Sequence, residues 1–548
     1  MPSPVLTHAF RQALSRPPAL PAVAPPAGGH RAALRQDVPR APAGTPLVTV
    51  IILNRNGAGL LDALFASLKA HETWPALEIV LVDHASTDDS RAVAARWAAE
   101  LPLRVVACTE NHSFSYSNNR AAETAAGEFL FLLNNDIVFT GPVIGRMVAA
   151  VQATGGLVGV RQYENEPPGP DGTRPWHHIG VRFFWNPIRR FIVPRNAAPQ
   201  PGDEEIAQGV ADLPAVTGSM MLCRRDDYLA VGGLHEGYFY GYEDIDLCCL
   251  FRHRLGRPVL ALNDIAALHG DGRTRKKAGT TKERRAIHRA NIRCLDDRWG
   301  FVLWRALGPA WLDDDGSLRG APPVLAVVAG AEAGAGGHDL PGWRTAGAVP
   351  RLGPLDLRGV DVAVTADPGF RWGRVWLAEP TLVRVGWTVG ATDRWLRRRD
   401  LAGYDLLVAG DGDAAAALRA AGAPRVALAG DDLRRAVVAS RRDGLRLALA
   451  GPRRAARRLA LALGRLGVTA RPTGGRSALD VDSADVVIRL GAAEILAAAR
   501  PVVAVDAATA PDAVIAAARA AVDRCGRAPV DAPLPNSTPP AWGRGAEC

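Results

Sequence analysis

The run Asn134-Asn135-Asp136 is the first candidate for chemistry, because it follows the apolar segment EFLFLL at 128–133. A carboxylate is costly to bury without a partner, so Asp136 is expected to face a cleft. One carboxylate beside two amides suits a hard divalent cation, which keeps water and takes further ligands from substrate phosphates. The alternative is a plain turn at the end of a strand, since Asn and Asp are common turn residues.

Two other acidic elements could take part in the same chemistry. Asp83 ends the segment EIVLVD just before Ser86-Thr87-Asp88, which can cap a helix without it. This surplus acid indicates a contact to a ribose or a base. GYEDIDL at 241–247 carries Glu243, Asp244 and Asp246 at a predicted helix start, where the helix dipole stabilises negative charge. These acids either cap that helix or supply a general base that deprotonates an attacking hydroxyl.

His269 follows another apolar segment, in ALHG. A lone histidine is more often a satisfied hydrogen-bonding residue than a ligand. Its position after a strand, with basic residues close behind, improves the odds of a ligand role without deciding between the two. Arg273 and Arg275 belong to that basic cluster. They are either a mobile lid over a diphosphate or ordinary solvated charge.

The elements that must position these residues alternate regularly. Apolar segments at 48–53, 78–83, 104–108 and 128–136 predict strands, and the segments 59–70, 89–101 and 117–127 between them predict helices. Such alternation is typical of right-handed βαβ crossovers and a parallel sheet covered on both faces. Ligands bind beyond the carboxyl ends of such strands, which is where the polar residues above fall.

The rest of the chain divides by pattern. The pattern of residues 161–205 predicts loops and edge strands, and that of 287–300 predicts an amphipathic helix. A stretch near 308–323 contains Pro and Gly, and a second α/β pattern follows it. The predicted organisation is an arm at 1–44, disordered or loosely helical, a first domain at 45–305, a linker at 306–323, a second α/β domain at 324–528 and a tail at 529–548. The second domain has eight predicted strands, at 324–329, 361–366, 383–389, 405–410, 425–430, 446–451, 485–490 and 501–506.

Composition narrows the class of protein. The 548 residues are 48% hydrophobic and 22% charged, which is ordinary for a globular protein. There is no apolar run of the roughly 18 to 20 residues that a membrane-spanning helix needs, and no secretory signal pattern, so a cytoplasmic location is expected. A net charge of +9 suits anionic small molecules, acidic lipid surfaces or nucleic acid. Without basic-aromatic interleaving, nucleic acid is not an expected partner.

The seven cysteines are scattered, odd in number and without a CxxC pair. This pattern argues against both a disulfide framework and a structural zinc site.

Taken together, the stretches VTVIILNRNG, EIVLVDHASTDDS, FSYSNNRAAETAAGEFLFLLNNDI, VTGSMMLCRRDDYLAVGGLHEGYF and YEDIDLCCLFRHRLG, with the terminal ALHG, resemble the family 2 inverting glycosyltransferases. The likeness is greatest to the rhamnosyltransferase and cell-surface polysaccharide branch. It implies the GT-A nucleotide-diphospho-sugar transferase fold with a mostly parallel sheet. It also implies metal-dependent transfer of a sugar from a nucleoside-diphosphate donor to a hydroxyl of a glycan or lipid-linked acceptor.

The resemblance also implies roles for residues. Asp136 and His269 would bind Mn²⁺ or Mg²⁺, Asp244 beside Glu243 would be the general base, and Arg273 and Arg275 would form a lid. Contacts to the nucleotide sugar would come from seven residues: Asn54, Asn56, Asp83, Ser86, Asn119, Asn134 and Asn135. Such an enzyme would work in the cytoplasm, and its Arg-rich surfaces are compatible with peripheral association with the inner membrane face.

The second half resembles the GT-B glycosyltransferases in the stretches RVGWTVGATDRWLRRRDLAGYDLLVAGDGDAAAALRAAG and AAEILAAARPVVAVDA, with Glu494 as the matching acid. Two interpretations stay open, a degenerate Rossmann-like domain that holds an acceptor or a protein, and a second active transferase. No G-x-G-x-x-G fingerprint is present, so a dinucleotide role is not expected.

Two other functions remain as alternatives for the whole chain. A sugar-nucleotidyltransferase would need a loop rich in Gly, Arg and Lys directly after the first strand to hold a triphosphate, and NRNGAGLL supplies one cation. A non-catalytic scaffold would bind nucleotide without turning it over.

Overall fold

The structure is a computed structural model. It describes residues 33–34, 38–169, 172–186, 191–196, 208–238, 241–270, 281–313, 323–328, 344–349, 355–357, 359–372, 375–378, 382–442, 445–450, 453–466, 468–473, 486–490, 502–505 and 509–526. Most of the predicted arm, the predicted lid residues Arg273 and Arg275, Glu494 and the predicted tail lie outside the described residues.

The first part of the chain is built on a mixed sheet with helices. Its strands are β1 (Ala33–Leu34), β2 (Val48–Asn54), β3 (Leu77–His84), β4 (Leu103–Cys108), β5 (Phe129–Asn134), β6 (Ile137–Phe139), β7 (Leu157–Glu164), β8 (Trp176–His178), β9 (Val181–Asn186), β10 (Phe191–Asn196), β11 (Val210–Asp212), β12 (Met220–Arg224) and β13 (Val259–His269). Its helices are α1 (Ala58–His71), α2 (Ser90–Trp97), α3 (Phe114–Glu123), α4 (Ile144–Thr154), α5 (Arg225–Ala230), α6 (Glu243–Cys249, continued by a π-helical turn at 250–254) and α7 (Thr281–Asp313).

Eleven of these strands form one sheet in the order β1-β11-β13-β7-β12-β5-β2-β3-β4, with β6 beside β13 and β8 beside β7. Strands β5, β2, β3 and β4 are parallel, and β7 is parallel to β13. Strand β12 runs antiparallel between β5 and β7. Strands β9 and β10 pair separately as an antiparallel hairpin. The predicted α/β domain with a mostly parallel central sheet is confirmed.

The apolar run of β2 is explained by burial on both faces of the sheet. Ile51 packs with Val80 and Leu132 in one core cluster, whereas its neighbours Val50 and Ile52 point to a second cluster on the opposite face. Val50, Ile51 and Ile52 are all 0% exposed. Alternate side chains of a strand point to opposite faces, so a strand with two covered faces is apolar throughout.

Among the helices between the first strands, two differ by more than one residue from their predicted bounds. The segment 117–127 was expected to form a helix, but α3 spans Phe114–Glu123. It begins earlier because the Ser113 hydroxyl caps it by accepting a hydrogen bond from the Tyr116 N–H at 3.2 Å. Helix α2 ends at Trp97, short of the predicted 101. In the predicted arm, Ala33 and Leu34 pair with β11 as a short strand.

The expected linker at 306–323 begins inside a helix. The helix predicted at 287–300 is longer, since α7 spans Thr281–Asp313. Leu312, near its end, is 0% exposed and packs in one cluster with Leu325, Val362 and Val383. Residues 306–313 are therefore helical, and Leu312 belongs to the core of the second half of the chain.

The second half contains three parallel sheets in its described residues: β15-β14-β17-β19-β20-β21, β23-β22-β24-β25 and β16-β18. All eight predicted strands are present, and β15, β16, β18 and β23 were not predicted. The strands are β14 (Val324–Val328), β15 (Arg344–Val349), β16 (Leu355–Leu357), β17 (Val362–Thr365), β18 (Val375–Ala378), β19 (Val383–Trp387), β20 (Leu406–Ala409), β21 (Val426–Leu428), β22 (Arg446–Ala450), β23 (Thr469–Thr473), β24 (Val486–Leu490) and β25 (Val502–Val505).

The helices of this half are α8 (Thr392–Leu396), α9 (Gly412–Ala420), α10 (Leu433–Arg442), α11 (Arg453–Arg465) and α12 (Pro511–Gly526). Within the described ranges, no helix combines the length and the apolar character needed to cross a bilayer.

A buried ion cluster connects the two larger sheets of this half. Asp405 precedes β20 and is 0% exposed; Arg446 Nε lies 2.9 Å from one of its oxygens and Arg471 Nη2 lies 3.0 Å from the other. Burial raises the pKa of the Asp405 carboxyl, but the two guanidinium groups outweigh burial, so its pKa is lowered. The Asp405 carboxylate therefore links the start of β20 to Arg446 at the start of β22 and to Arg471 in β23.

The buried end of α7 yields a first prediction. Leu312→Ala is expected to lower the free energy of unfolding by about 2–5 kcal/mol, because it leaves a cavity in a packed core. Leu466→Ala is the matched control, since Leu466 is 48% exposed and its truncation should change stability little. Urea denaturation followed by circular dichroism measures both. Equal stability of the Leu312 variant and wild type would mean that this segment behaves as the linker originally expected.

Candidate active site

Three neighbouring strands bring polar side chains to one edge of the first sheet. Strand β2 ends at Asn54, which is in register with Asp83 of β3, and Leu53 of β2 is in register with Asn134 of β5. Because the three strands are parallel, their carboxyl ends lie side by side. Residues that are far apart in the sequence therefore meet here.

Asp83 is the buried acid of this edge, at 1% exposure. Its carboxylate accepts hydrogen bonds from Arg91 Nε at 2.9 Å, from the Ser86 N–H at 3.2 Å and from the Ser86 hydroxyl. Asn54 Nδ2 adds a longer contact of 3.4 Å. Burial raises the pKa of Asp83, but these donors outweigh burial and lower it, so the group is an anion at neutral pH.

Asn135 joins the Asp83 group to the turn after β5. Its Nδ2 donates to Asn54 Oδ1 at 2.8 Å. Gly57 lies against this contact, because a Cβ atom there would stand 2.5 Å from Asn54 Oδ1 and 2.8 Å from Asn135 Nδ2. Only glycine leaves room for the two amides to meet.

Asn56 binds the loop after β3 and so shapes the same edge. It adopts a φ of 50°, in the left-handed region that Asn tolerates better than most residues. Its N–H donates to the Ser86 hydroxyl at 2.9 Å, and its Oδ1 accepts from the Thr87 N–H at 2.7 Å. Asn54, Asn56, Asp83, Ser86 and Asn135 thus form one hydrogen-bonded group.

Asp136 and His269 face each other next to this group. Strand β13 ends at His269, which is in register with Ile137 of β6, so the imidazole reaches the turn after β5. His269 Nε2 lies 3.2 Å from Asp136 Oδ1 and 3.4 Å from Asn134 Nδ2. The side chains of Asp136 and His269 are 10% and 9% exposed.

This pair is suited to a divalent cation that also binds a substrate phosphate. Asp136 Oδ1 and His269 Nδ1 are both buried. Asp136 Oδ1 meets His269 Nε2 at 3.2 Å, while His269 Nδ1 has no hydrogen-bond partner within the part of the chain that the structure describes. The described residues contain no group of three or more His, Cys, Asp or Glu side chains that could hold a metal on its own. A cation such as Mg²⁺ keeps several waters and takes its remaining ligands from phosphate, so one carboxylate and one imidazole fit it.

Asp244 stands at the start of α6, after Tyr242 in the left-handed region at φ 76°. It is partly exposed, and its two oxygens accept hydrogen bonds from the N–H groups of Gly218 and Ile245, each at 2.9 Å. These bonds set the direction of the carboxylate.

The backbone next to Gly218 leads from Asp244 to the cation pair. The Ser219 carbonyl accepts a hydrogen bond from the Asn134 N–H at 2.9 Å. A path of direct contacts therefore runs from Asp244 through residues 218–219 to Asn134 and His269.

The other acids of GYEDIDL have structural contacts. Glu243 is 7% exposed and accepts from the Gly241 N–H at 2.7 Å. Asp246 is 0% exposed and accepts from Arg298 Nε and Trp299 Nε1, each at 2.6 Å. Both Arg298 and Trp299 belong to α7, so Asp246 fastens α6 to that helix.

The structure does not join Asn119 to the other predicted site residues by hydrogen bonds. Its Oδ1 accepts from Tyr228 Oη at 2.7 Å and from the Leu234 N–H at 2.9 Å. Its Nδ2 donates to the Leu234 carbonyl at 2.8 Å and to Glu236 at 3.0 Å. These four contacts use the full capacity of the amide, so Asn119 anchors the segment 228–236.

Two histidines next to the site were missed by the sequence analysis. His84 follows Asp83 directly; its Nε2 lies 2.8 Å from Ser117 Oγ and its Nδ1 lies 3.2 Å from Asn111 Oδ1. Burial, the largest effect, lowers the pKa of His84 to about 4. His177 packs edge-to-face on the ring of His269, with centroids 4.3 Å apart. In the sequence, His84 could have been identified by its position directly after Asp83, and His177 by its position in the segment WHHIG at 176–180.

Comparison with known proteins covers the part of the site that lies on β2, β3 and β5. Residues 49–228 match the model described as Glycosyl transferase family 2. This stretch is a glycosyltransferase family 2 domain, so that part of the predicted resemblance is confirmed. An uncharacterized protein of Sinorhizobium fredii, y4gI, is 28% identical over 271 residues, which are 47% of this chain and 28% of that protein. The O-antigen biosynthesis protein RfbC of Myxococcus xanthus is 29% identical over 214 residues, 37% of this chain and 16% of that protein.

The chain therefore spans less than a third of the length of either relative. Among solved structures, GalNAc-T7 with UDP, GalNAc and Mn²⁺ aligns at 14% identity over 50% of this chain and 51% of that chain, with a TM-score of 0.37.

The buried imidazole of His84 yields a pH prediction. Its ordinary pKa is 6.5 and its pKa in the fold is about 4, so between these values the unfolded chain binds a proton that the folded chain does not. Stability is therefore expected to fall by up to about 3 kcal/mol as the pH falls from 6.5 to 4, and to be unaffected by this group above that window.

His84→Gln should show a shallower decline over that window in urea denaturation at a series of pH values. His71→Gln, a change at an exposed histidine, serves as control and should follow wild type. Parallel curves for the His84 variant and wild type would contradict the assignment.

Proposed function

We propose that the glycosyltransferase domain moves a sugar from a nucleoside-diphosphate donor to an acceptor hydroxyl with inversion at the anomeric carbon. The observation that supports this most is the path of contacts that links Asp83, Asp136, His269 and Asp244 at one edge of a parallel sheet. These side chains lie far apart in the sequence, and each has the chemistry that one part of the reaction requires.

The Asp83 group is proposed to bind the nucleoside. Its carboxylate is ionised and is oriented by Ser86 and Arg91, so it can accept a hydrogen bond from a ribose hydroxyl. Asn54, Asn56, Asn134 and Asn135 add amide groups along the same edge. The predicted nucleotide contact from Asn119 is not proposed, because its amide is fully used elsewhere.

Asp136 and His269 are proposed to hold Mn²⁺ or Mg²⁺ together with the donor. The cation would offset negative charge that develops on the diphosphate as it leaves. Asp136 would contribute its carboxylate, whose Oδ1 faces His269 Nε2 at 3.2 Å, so that one cation could bind both side chains. Asn134, within 3.4 Å of His269, helps to orient the imidazole.

Asp244 is proposed to be the general base. It takes the proton from the acceptor hydroxyl while that oxygen bonds to the anomeric carbon from the face opposite the diphosphate. The bond between that carbon and the diphosphate oxygen breaks, and its electron pair leaves with the nucleoside diphosphate. The Gly218 and Ile245 N–H groups keep the Asp244 carboxylate oriented for this step.

The alternatives are less consistent with the site. A sugar-nucleotidyltransferase needs several basic side chains directly after the first strand, whereas Arg55 is the one basic residue in the segment 54–61. A scaffold would not need the partly exposed, oriented carboxylate of Asp244. Release of pyrophosphate from a nucleoside triphosphate would indicate the former, and donor binding without turnover would indicate the latter.

The wider role is also a proposal. One relative of the matched region is an O-antigen biosynthesis protein, which supports a glycan or lipid-linked acceptor in cell-surface polysaccharide synthesis at the cytoplasmic face of the membrane. The proposal includes membership of the rhamnosyltransferase branch. It also includes two domains, at residues 45–305 and 324–528, with residues 306–313 forming the end of α7 between them. The second domain is proposed to be GT-B-like.

Asp244→Asn tests the proposed base. The change keeps the size of the side chain but removes the proton acceptor, so kcat should fall by about 10²- to 10⁴-fold while the donor Kd stays within about two-fold. Product formation with a panel of UDP-, dTDP- and GDP-sugars measures transfer, and calorimetry measures donor binding. Asp226→Asn, at a 98% exposed side chain, is the matched control. Unchanged turnover in the Asp244 variant would refute its role.

Asp136→Ala tests the cation site. Wild type should bind the donor about ten-fold or more tightly with Mn²⁺ than with excess chelator, because Asp136 and His269 would hold the cation together with the donor. The variant should bind equally weakly in both conditions, and Asp226→Ala should behave as wild type. Thermal stabilisation by donor and metal gives a second readout. Equal donor affinity of wild type with and without chelator would count against a metal.

A further inference from the structure

Helix α11 in the second half has an unusual charge pattern. Its sequence, RRAARRLALALGR, contains five arginines and no acidic residue. Helices on the surface of a globular protein usually mix both signs of charge. The first domain and its reaction do not explain this concentration of positive charge.

One face of α11 is used for packing. Ala456, Ala460 and Leu463 are at most 4% exposed and lie in the core cluster built on β22 and β24. Gly464 approaches the carbonyl of Gly422, where an added Cβ would come within 2.0 Å. The orientation of the helix is therefore fixed, and the opposite face is held toward solvent.

That opposite face combines cations with large apolar side chains. Arg457, Arg458 and Arg465 are exposed, and Leu461 and Leu466 are 40% and 48% exposed. In the described part of the chain, four large hydrophobic residues are exposed at 37% or more. One of them, Leu461, lies on this face, and another, Leu466, directly follows the last residue of α11. We call these five residues the α11 surface.

The α11 surface is rigid and continues onto the next helix. Arg465 Nε donates to the Ala420 carbonyl at 3.0 Å, which connects it to the end of α9. Arg419, also at the end of α9, is exposed and donates to the Val426 carbonyl at 3.0 Å. With a rise of about 1.5 Å per residue, Arg457 and Arg465 lie about 12 Å apart along the helix axis, enough to contact several lipid headgroups.

We propose that the α11 surface docks on a bilayer that contains anionic phospholipid. The guanidinium groups would bind headgroup phosphates, and Leu461 and Leu466 would enter the boundary between headgroups and acyl chains. Basic residues combined with exposed apolar ones on a helix suit a membrane interface. Nucleic acid would use the arginines but offers no place for the two leucines. The proposal does not depend on the reaction assigned to the first domain.

The test is vesicle co-sedimentation of the full chain without donor or metal. The probes are vesicles of phosphatidylcholine alone and of equimolar phosphatidylcholine and phosphatidylglycerol. Wild type should bind the mixed vesicles, bind the neutral ones about ten-fold or more weakly, and lose binding as salt is raised.

Two variants separate charge from apolar contact. The double substitution Arg457→Glu with Arg458→Glu should weaken binding to the mixed vesicles about ten-fold or more and flatten its salt dependence. The double substitution Leu461→Ser with Leu466→Ser should weaken binding but leave the salt dependence in place. The control pair, Arg397→Glu with Arg399→Glu, makes the same change of charge at two exposed arginines elsewhere and should bind as wild type.

Three outcomes would overturn the proposal: failure of wild type to bind the mixed vesicles, equal loss in the control pair, or binding to a duplex oligonucleotide in preference to vesicles. Unchanged circular dichroism and donor hydrolysis in each variant would show that the chain remains folded. Donor binding and vesicle binding are measured separately, so either proposal can fail without the other.

Discussion

Parallel pairing of β5, β2 and β3 is the constraint on which the rest of the first domain depends. It places Asn134, Asn54 and Asp83 at the ends of three adjacent strands, in a register set by the apolar residues between the two cores. A slip of one residue would turn the alternating side chains to the wrong faces, so the packing of the sheet also fixes the site. The hydrogen bond from the Asn134 N–H to the Ser219 carbonyl then brings the Asp244 region to the same edge.

The carboxylates of this domain differ in how their charge is compensated. Asp83 accepts from Ser86 and Arg91, and Asp246 accepts from Arg298 and Trp299, so both are satisfied by protein donors. Asp136 differs because its Oδ1 meets the imidazole of His269, at 3.2 Å from Nε2, rather than a set of protein donors. Burying a carboxylate with few donors costs free energy, and the proposed cation would offset that cost. The difference separates carboxylates that stabilise the fold from one that is available to a ligand.

Much of the fold could be predicted from the sequence, because strands buried on both faces appear as continuous apolar runs such as VTVIIL. Positions at strand ends, such as Asp83 and Asp136, follow directly from those runs. The missed features depend on tertiary contacts. In the sequence, nothing distinguishes Ser113, which caps α3, from the other serines nearby. Asn119 forms its hydrogen bonds with a segment more than a hundred residues away. The end of α7 is helical because Leu312 packs into the second half of the chain.

The same limit explains why three acids in GYEDIDL could not be told apart in sequence. Residues two apart on a helix are separated by about 200° around its axis, so Asp244 and Asp246 point to opposite sides of α6. Asp246 therefore meets Arg298 and Trp299 of α7, while Asp244 meets the Gly218 N–H. The buried anion fastens α6 in place, and that attachment determines where the exposed carboxylate stands. The position of the proposed base therefore depends on a neighbouring acid, Asp246, that is held by α7.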